Sequence, residues 1–251
     1  EGLHWHRRNF RPVSHLRGLD VHQDAQGDLW SFGASYGSGT IVQNLSASTV
    51  ELLDAGPMNY QDELILSPQY EEDGMFVVGG ARGLAFWFDP NKGMNNPHGT
   101  LGWEFPPHLG YVRFVAFSPH FDARGLLGTD QTFFLSSSTG RWSNVRSIDG
   151  GLTAEPLTKM VGGGPAPWLR NLSVARTYEA STSAGRTDVY GSAAVGLFRL
   201  EDDRWRMIQA FPSSIETLCL APDFDRDPLT PGRPVIFMGM SRFPYFAEYI
   251  D

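Results

Sequence analysis

One unit recurs along this chain, and it constrains the fold more than any other feature. An apolar stretch ends in a small residue, a proline, a variable residue and an aromatic. Its copies are Ser67-Pro68-Gln69-Tyr70, Ser118-Pro119-His120-Phe121 and Ala221-Pro222-Asp223-Phe224, with Ala175-Arg176-Thr177-Tyr178 as a version lacking the proline. A second apolar stretch then stops at a glycine: Leu29 to Gly33, Met75 to Gly79, Gly125 to Gly128, Val189 to Gly191 and Val235 to Gly239. These glycines return roughly every 50 residues, with a longer interval before Gly191. Third stretches follow at Thr40 to Gln43, Gly83 to Phe88, Thr132 to Leu135, Gly196 to Leu200 and Tyr245 to Ile250, and the fourth carries Trp103, Trp142 or Trp205.

No segment sustains apolar spacing at helical intervals, and 28 glycines with 17 prolines punctuate the whole length. Four short strands per unit at this period describe an all-β chain and, more specifically, the blades of a β-propeller, because packing blades around an axis buries both faces of each sheet. The expected division is a single domain, 1–251, of about five four-stranded blades at 16–56, 60–108, 110–148, 169–210 and 214–251, with an inserted loop at 149–168. The last unit stops after its third strand. Residues 1–10, with Gly2 and Trp5 in an extended alternation, have the missing pattern and are expected to form the outer strand of the last blade, closing the ring.

The unit resembles the BNR or Asp-box repeats of sialidase-like and sortilin-like propellers, and is similar to the photosystem II assembly factor propellers. The Asp-box itself survives as Ser136-Ser137-Ser138-Thr139-Gly140-Arg141-Trp142, without its aspartate. The resemblance implies a fold rather than an activity. Sialidases work through an arginine cluster, a tyrosine nucleophile and paired carboxylates on propellers that usually have six blades, and that set has no matching positions in this sequence.

A net charge of −8 and a pI near 5.3 argue against a nucleic-acid partner, which draws its affinity from clustered Lys and Arg. No apolar run is long enough to span a membrane, and no signal peptide opens the sequence at Glu1. Cys219 lies in an apolar run and reads as a small core residue. The sequons at Asn44 and Asn171 are candidate N-glycosylation sites and lean toward an extracellular or lumenal setting.

Motifs with chemistry are few. His4 and His6 share a strand face without a third ligand; the acidic groups Glu71-Glu72-Asp73, Glu201-Asp202-Asp203 and Asp223-Asp225-Asp227 read as turns, as do Gly37-Ser38-Gly39 and Gly162-Gly163-Gly164. No catalytic residue, metal ligand or cofactor is therefore assigned. The candidate binding residues are those of the loops on one face, Tyr36, Arg82, Asp130, Trp168 and Arg242, because Tyr, Trp and Arg dominate binding hot spots. The expected function is a non-catalytic scaffold for a protein partner, alone or as a subunit of a larger assembly. The alternative is a carbohydrate-active propeller, lectin or glycosidase, with Asp20 or Asp130 paired with another acid in an axial funnel.

Overall fold

The fold is taken from a computed structural model, which describes residues 15–35, 39–47, 49–53, 61–81, 83–88, 110–125, 130–138, 142–175, 188–194, 196–221, 224, 235–241 and 246–250. The protein is all-β. Among these residues the strands make five antiparallel sheets, each hydrogen-bonded in the order in which its strands occur. The first sheet holds β1 (Leu16–Gln23), β2 (Leu29–Ser35), β3 (Gly39–Asn44) and β4 (Thr49–Leu53). The second holds β5 (Gln61–Leu66), β6 (Met75–Gly80) and β7 (Gly83–Phe88), with a single helical turn, α1 (Tyr70–Asp73), between β5 and β6. The third holds β8 (Val112–Phe117), β9 (Phe133–Ser137), β10 (Asn144–Ser147) and β11 (Glu155–Pro156). The fourth holds β12 (Asn171–Val174), β13 (Val189–Ala193), β14 (Gly196–Glu201) and β15 (Arg204–Ala210). The fifth holds β16 (Ile215–Leu220), β17 (Val235–Met240) and β18 (Phe246–Ile250). No helix among the described residues is long and apolar enough to cross a membrane.

The first strand of each sheet packs on the first strand of the next: β1 on β5, β5 on β8, β8 on β12 and β12 on β16. A sheet held between two others buries both faces, which is why a central strand such as Met75–Gly80 is apolar throughout instead of alternating. One apolar cluster fills each of these contacts. Phe32, Ala34 and Val42 of the first sheet meet Leu64, Leu66 and Phe76 of the second. Met75 and Val77 then meet Val112, Val115 and Leu135 of the third. Phe134 meets Leu169, Val189 and Phe198 at the fourth, and Tyr190 and Leu197 meet Ile215, Leu220 and Ile236 of the fifth.

The contacts are close at the backbone. A Cβ placed on Gly18 would stand 2.4 Å from the Leu64 amide nitrogen, so only glycine lets β1 lie this near β5. Gly18→Ala is expected to cost about 2 kcal/mol as overpacking. The check is urea unfolding, with a lower midpoint at an unchanged m-value.

The small-Pro-x-aromatic motif is a turn that ends a first strand and docks an aromatic. The amides of Tyr70, Phe121 and Phe224 donate to the carbonyls of Ser67, Ser118 and Ala221 at 3.0, 3.1 and 2.9 Å. The three rings then pack on Phe32, Phe117 and Tyr190. Two of the turns carry an aspartate just before the second strand. Ser67 Oγ donates to Asp73, whose other oxygen accepts the Met75 amide at 2.9 Å. Ser118 Oγ donates to Asp130, whose other oxygen accepts the Thr132 amide at 2.8 Å.

The third sheet departs from the sequence reading. Its second strand is Phe133–Ser137, not Gly125 to Gly128, and its third and fourth are Asn144–Ser147 and Glu155–Pro156. Gly125 sits at φ 61°, a left-handed turn, and residues 126–129 lie outside the described residues. The stretch 149–168, read as an inserted loop, therefore contains the fourth strand, and Trp142 precedes β10 instead of lying in an outer strand. Trp205 does lie in an outer strand, β15, where it is buried with its indole nitrogen donating to Leu157 O at 3.1 Å. Cys219 is exposed, not a core residue, because it faces away from the fourth sheet. Residues 1–10, His4 and His6 included, lie outside the described residues.

Candidate functional site

The pairing of the first strand with the second shifts register at the same point in four sheets: between Leu16 and Gly18, Gln61 and Glu63, Val112 and Phe114, and Ile215 and Thr217. Each shift leaves one extra residue unpaired and re-aims its side chain, as a β-bulge does. The residues so placed are Arg17, Asp62, Arg113 and Glu216. In the fourth sheet Arg170 holds the equivalent place before β12, its amide donating to Ser192 O at 2.5 Å. All five are charged.

Since first strands lie side by side, the five side chains form a row of mixed charge along one end of the sheets, with two neighbouring arginines, Arg113 and Arg170, in its middle. Asp62, only 11% exposed at its side chain, stands between Arg17 at 3.9 Å and Arg113 at 3.7 Å. Arg170 pairs with Glu216 at 3.0 Å. Between the two halves stands Trp168. The Arg113 guanidinium lies 5.8 Å and that of Arg170 5.7 Å from its ring centre, and Arg113 is also 5.2 Å from the Tyr111 ring. Each such contact is worth about 0.5–1 kcal/mol where solvent reaches it. The indole N–H of Trp168 is enclosed and finds no hydrogen-bond partner among the described residues.

Behind the row is a titratable group of unusual character. Glu63, half-buried on β5 opposite Gly79, is pushed up to about 8 by burial first, then by the negative charges of Asp20 and Asp62. Asp20 is turned inward: one oxygen accepts the Leu66 amide at 3.0 Å and the other its neighbour Val21 at 2.8 Å.

Of the residues expected to bind, Trp168 stands in this row. Asp130 does not. It sits at the far end of β8 and β9, where Phe117 pairs with Phe133, while Arg113 and Trp168 are at the end where Val112 pairs with Ser137. Its carboxylate is engaged by Ser118 and Thr132, so it holds a turn together. Tyr36, Arg82 and Arg242 lie outside the described residues. The two sequon asparagines are both buried and bonded. Asn44 donates to Asp28 at 3.3 Å and accepts the amides of Ser46 and Ala47, while Asn171 donates to Ser192 Oγ at 3.0 Å. A glycan on either would displace these bonds.

A scan against protein-family models finds no match for this chain, and a search of the curated proteins finds no significantly similar sequence.

The residues that sequence reasoning passed over are the bulged charges themselves. Asp62, Arg113, Arg170 and Glu216 each stand five places before the small residue of the repeat turn, Ser67, Ser118, Ala175 and Ala221. A charged residue at a constant offset inside an otherwise apolar repeat was a readable signal.

Proposed function

We propose that the five sheets are blades of a β-propeller of the Asp-box type, and that the protein is a non-catalytic binding module. It holds a partner protein across the end marked by Arg17, Asp62, Arg113, Arg170 and Glu216. The observation that carries this reading is that one position of the first strand, a bulge in four sheets and the equivalent place before β12 in the fourth, carries a charged side chain in all five. Solvated loops have no reason to repeat one position with charge, whereas a recognition rim does. Trp168, clamped between two guanidiniums, supplies a rigid aromatic surface at the centre of the rim, the residue types that dominate binding hot spots. Three arginines against two acids leave this end positive on a chain of net charge −8, so an acidic face of the partner is the complement.

The test is to express the tagged chain in its native source, identify the protein that co-purifies, and measure its affinity for wild type and for Arg113→Glu/Arg170→Glu. Both arginines are surface groups, so the variant is expected to fold with a nearly unchanged melting temperature. Binding is expected to weaken at least about tenfold, the scale of losing buried charge contacts at an interface. Undiminished binding, or a chain that purifies alone and cleaves a glycan, overturns the proposal.

The carbohydrate-active reading has one observation of its own. Glu63 is a carboxyl held protonated near neutral pH beside carboxylates, the arrangement by which glycosidases separate acid from base. Against it, Asp20 is bonded to the backbone, Asp62 to two arginines and Asp130 to its turn. Glycan hydrolysis that disappears in Glu63→Gln is the result that favours it.

A further inference from the structure

Along the row of charges at the first strands, three junctions bring opposite signs together. Arg17 meets Asp62, Asp62 meets Arg113, and Arg170 meets Glu216. At the junction between the third and fourth sheets the neighbours are instead Arg113 and Arg170, and both guanidiniums lie against the ring of Trp168. We infer that this junction is a receptor for one carboxylate, supplied by an aspartate or glutamate side chain of the partner. The inference rests on the binding reading above and names the group that the rim takes hold of.

Three observations support it. First, the Arg113 guanidinium is positioned but its donors are unused. Tyr111 and Trp168 hold it at 5.2 and 5.8 Å from their ring centres. Its ion-pair partner Asp62 stands at 3.7 Å, too far for a hydrogen bond, and is shared with Arg17. Arg113 donates no hydrogen bond among the described residues, and its side chain is 45% exposed. A guanidinium carries N–H donors in a rigid fork that matches a carboxylate in bidentate fashion, so this fork is prepared for an acceptor from outside. Arg170 already donates to Glu216 at 3.0 Å and adds charge rather than a second free fork. Second, the aromatic backing is pinned. Asn144 donates to Pro167 O at 2.8 Å and accepts the Leu169 amide at 3.3 Å, which fixes the chain on either side of Trp168. A surface ordered in advance loses little conformational freedom when it binds. Third, the charge fits a monoanion. Three arginines against two acids leave one positive charge in excess, at the junction where like charges are neighbours. One carboxylate cancels it and completes the sequence of opposite signs, whereas a phosphate group, at about −1.5 to −2 near neutral pH, overshoots it.

The test is a titration of the full chain with a single carboxylate, N-acetylglutamate α-methylamide, at pH 7 and constant ionic strength, followed by proton–nitrogen NMR. The reporters are the Trp168 indole N–H, identified by its loss in Trp168→Phe, and the Arg113 Nε–H, identified by its loss in Arg113→Lys. Both are expected to shift together and to saturate with a dissociation constant in the millimolar range, as suits one charge-assisted contact, while the glutamine counterpart of the probe moves neither. Arg113→Lys keeps the charge and loses the fork, and is expected to bind at least about fivefold more weakly by the Trp168 signal. Arg170→Gln is expected to weaken binding less than Arg113→Gln. Shifts in wild type that do not saturate overturn the site, and wild type decides this whether or not a variant folds well. Equal affinity in Arg113→Lys overturns the role of the fork. Tighter binding of inorganic phosphate or of glucuronate than of the probe, at the same ionic strength, overturns the assignment to a protein carboxylate in favour of a phosphoryl group or an acidic sugar. The two readings fail separately: a probe that binds, with a partner that Arg113→Glu/Arg170→Glu does not release, removes the rim as the partner's seat and keeps the carboxylate site, and the opposite pair of results removes the carboxylate site alone.

Discussion

Asp73→Ala is expected to lower the free energy of unfolding by about 3 kcal/mol, among the largest effects available to a single substitution outside the apolar clusters. Asp73 is fully buried, and its two oxygens take Ser67 Oγ at 2.6 Å, the Met75 amide at 2.9 Å and the Ala123 amide at 3.1 Å. The first two bonds close the turn between β5 and β6. The third ties it to the corresponding turn of the third sheet. Alanine leaves three donors enclosed with nothing to accept them, and an unsatisfied buried donor costs more than a hydrogen bond contributes. Asp73→Asn should fall between, because its amide oxygen still accepts one amide while its NH2 group opposes another donor. Urea unfolding of the two variants checks the order. A loss under about 1 kcal/mol for alanine means that water replaces the carboxylate and the turn does not hold the sheets together.

The second large effect depends on pH. Glu63 carries its proton up to about 8 in the folded protein, whereas the unfolded chain releases it near 4.5. Between those values the folded state binds one more proton than the unfolded state, so stability falls as pH rises. The contribution of the protonated carboxyl is complete below pH 4.5 and is lost by the time the pH passes about 8. Glu63→Gln keeps the shape and the neutral charge at every pH. It is expected to remove this slope and to be more stable than wild type at pH 9 by on the order of 3 kcal/mol, less than the full linkage of the shift because Glu63 is partly solvated. At pH 4 the two proteins should be nearly equal. Parallel slopes for wild type and Glu63→Gln across pH 4.5 to 9 show that solvent reaches the carboxyl and that burial does not hold its proton.

Much of the fold was legible before any coordinates. The repeat located second strands at Leu29, Met75, Val189 and Val235 and third strands at Gly83 and Gly196, because a strand buried on both faces is a dense apolar run and its ends are cut by glycine or a Ser-Pro turn. The third unit was misread where that logic has a gap. Gly125-Leu126-Leu127-Gly128 has the composition of a short strand, yet Gly125 turns left-handed and the strand that pairs with β8 begins at Phe133. Two leucines between glycines are too short a run to mark a strand.

The candidate site divides along the same line. Local sequence determined which residues are charged and that they recur at one offset from the turn, and it determined that Trp168 follows a proline-rich approach to its strand. Their assembly into one row was decided by the packing of first strands side by side, which brings Asp62 between Arg17 and Arg113 from three separate sheets. Burial decided the rest. Asp130 and both sequon asparagines read as surface groups in sequence and are bonded into turns and strands, and Cys219 reads as core and is exposed. Whether a polar atom meets water or another chain segment depends on neighbours far away in sequence, and local pattern carries no record of them.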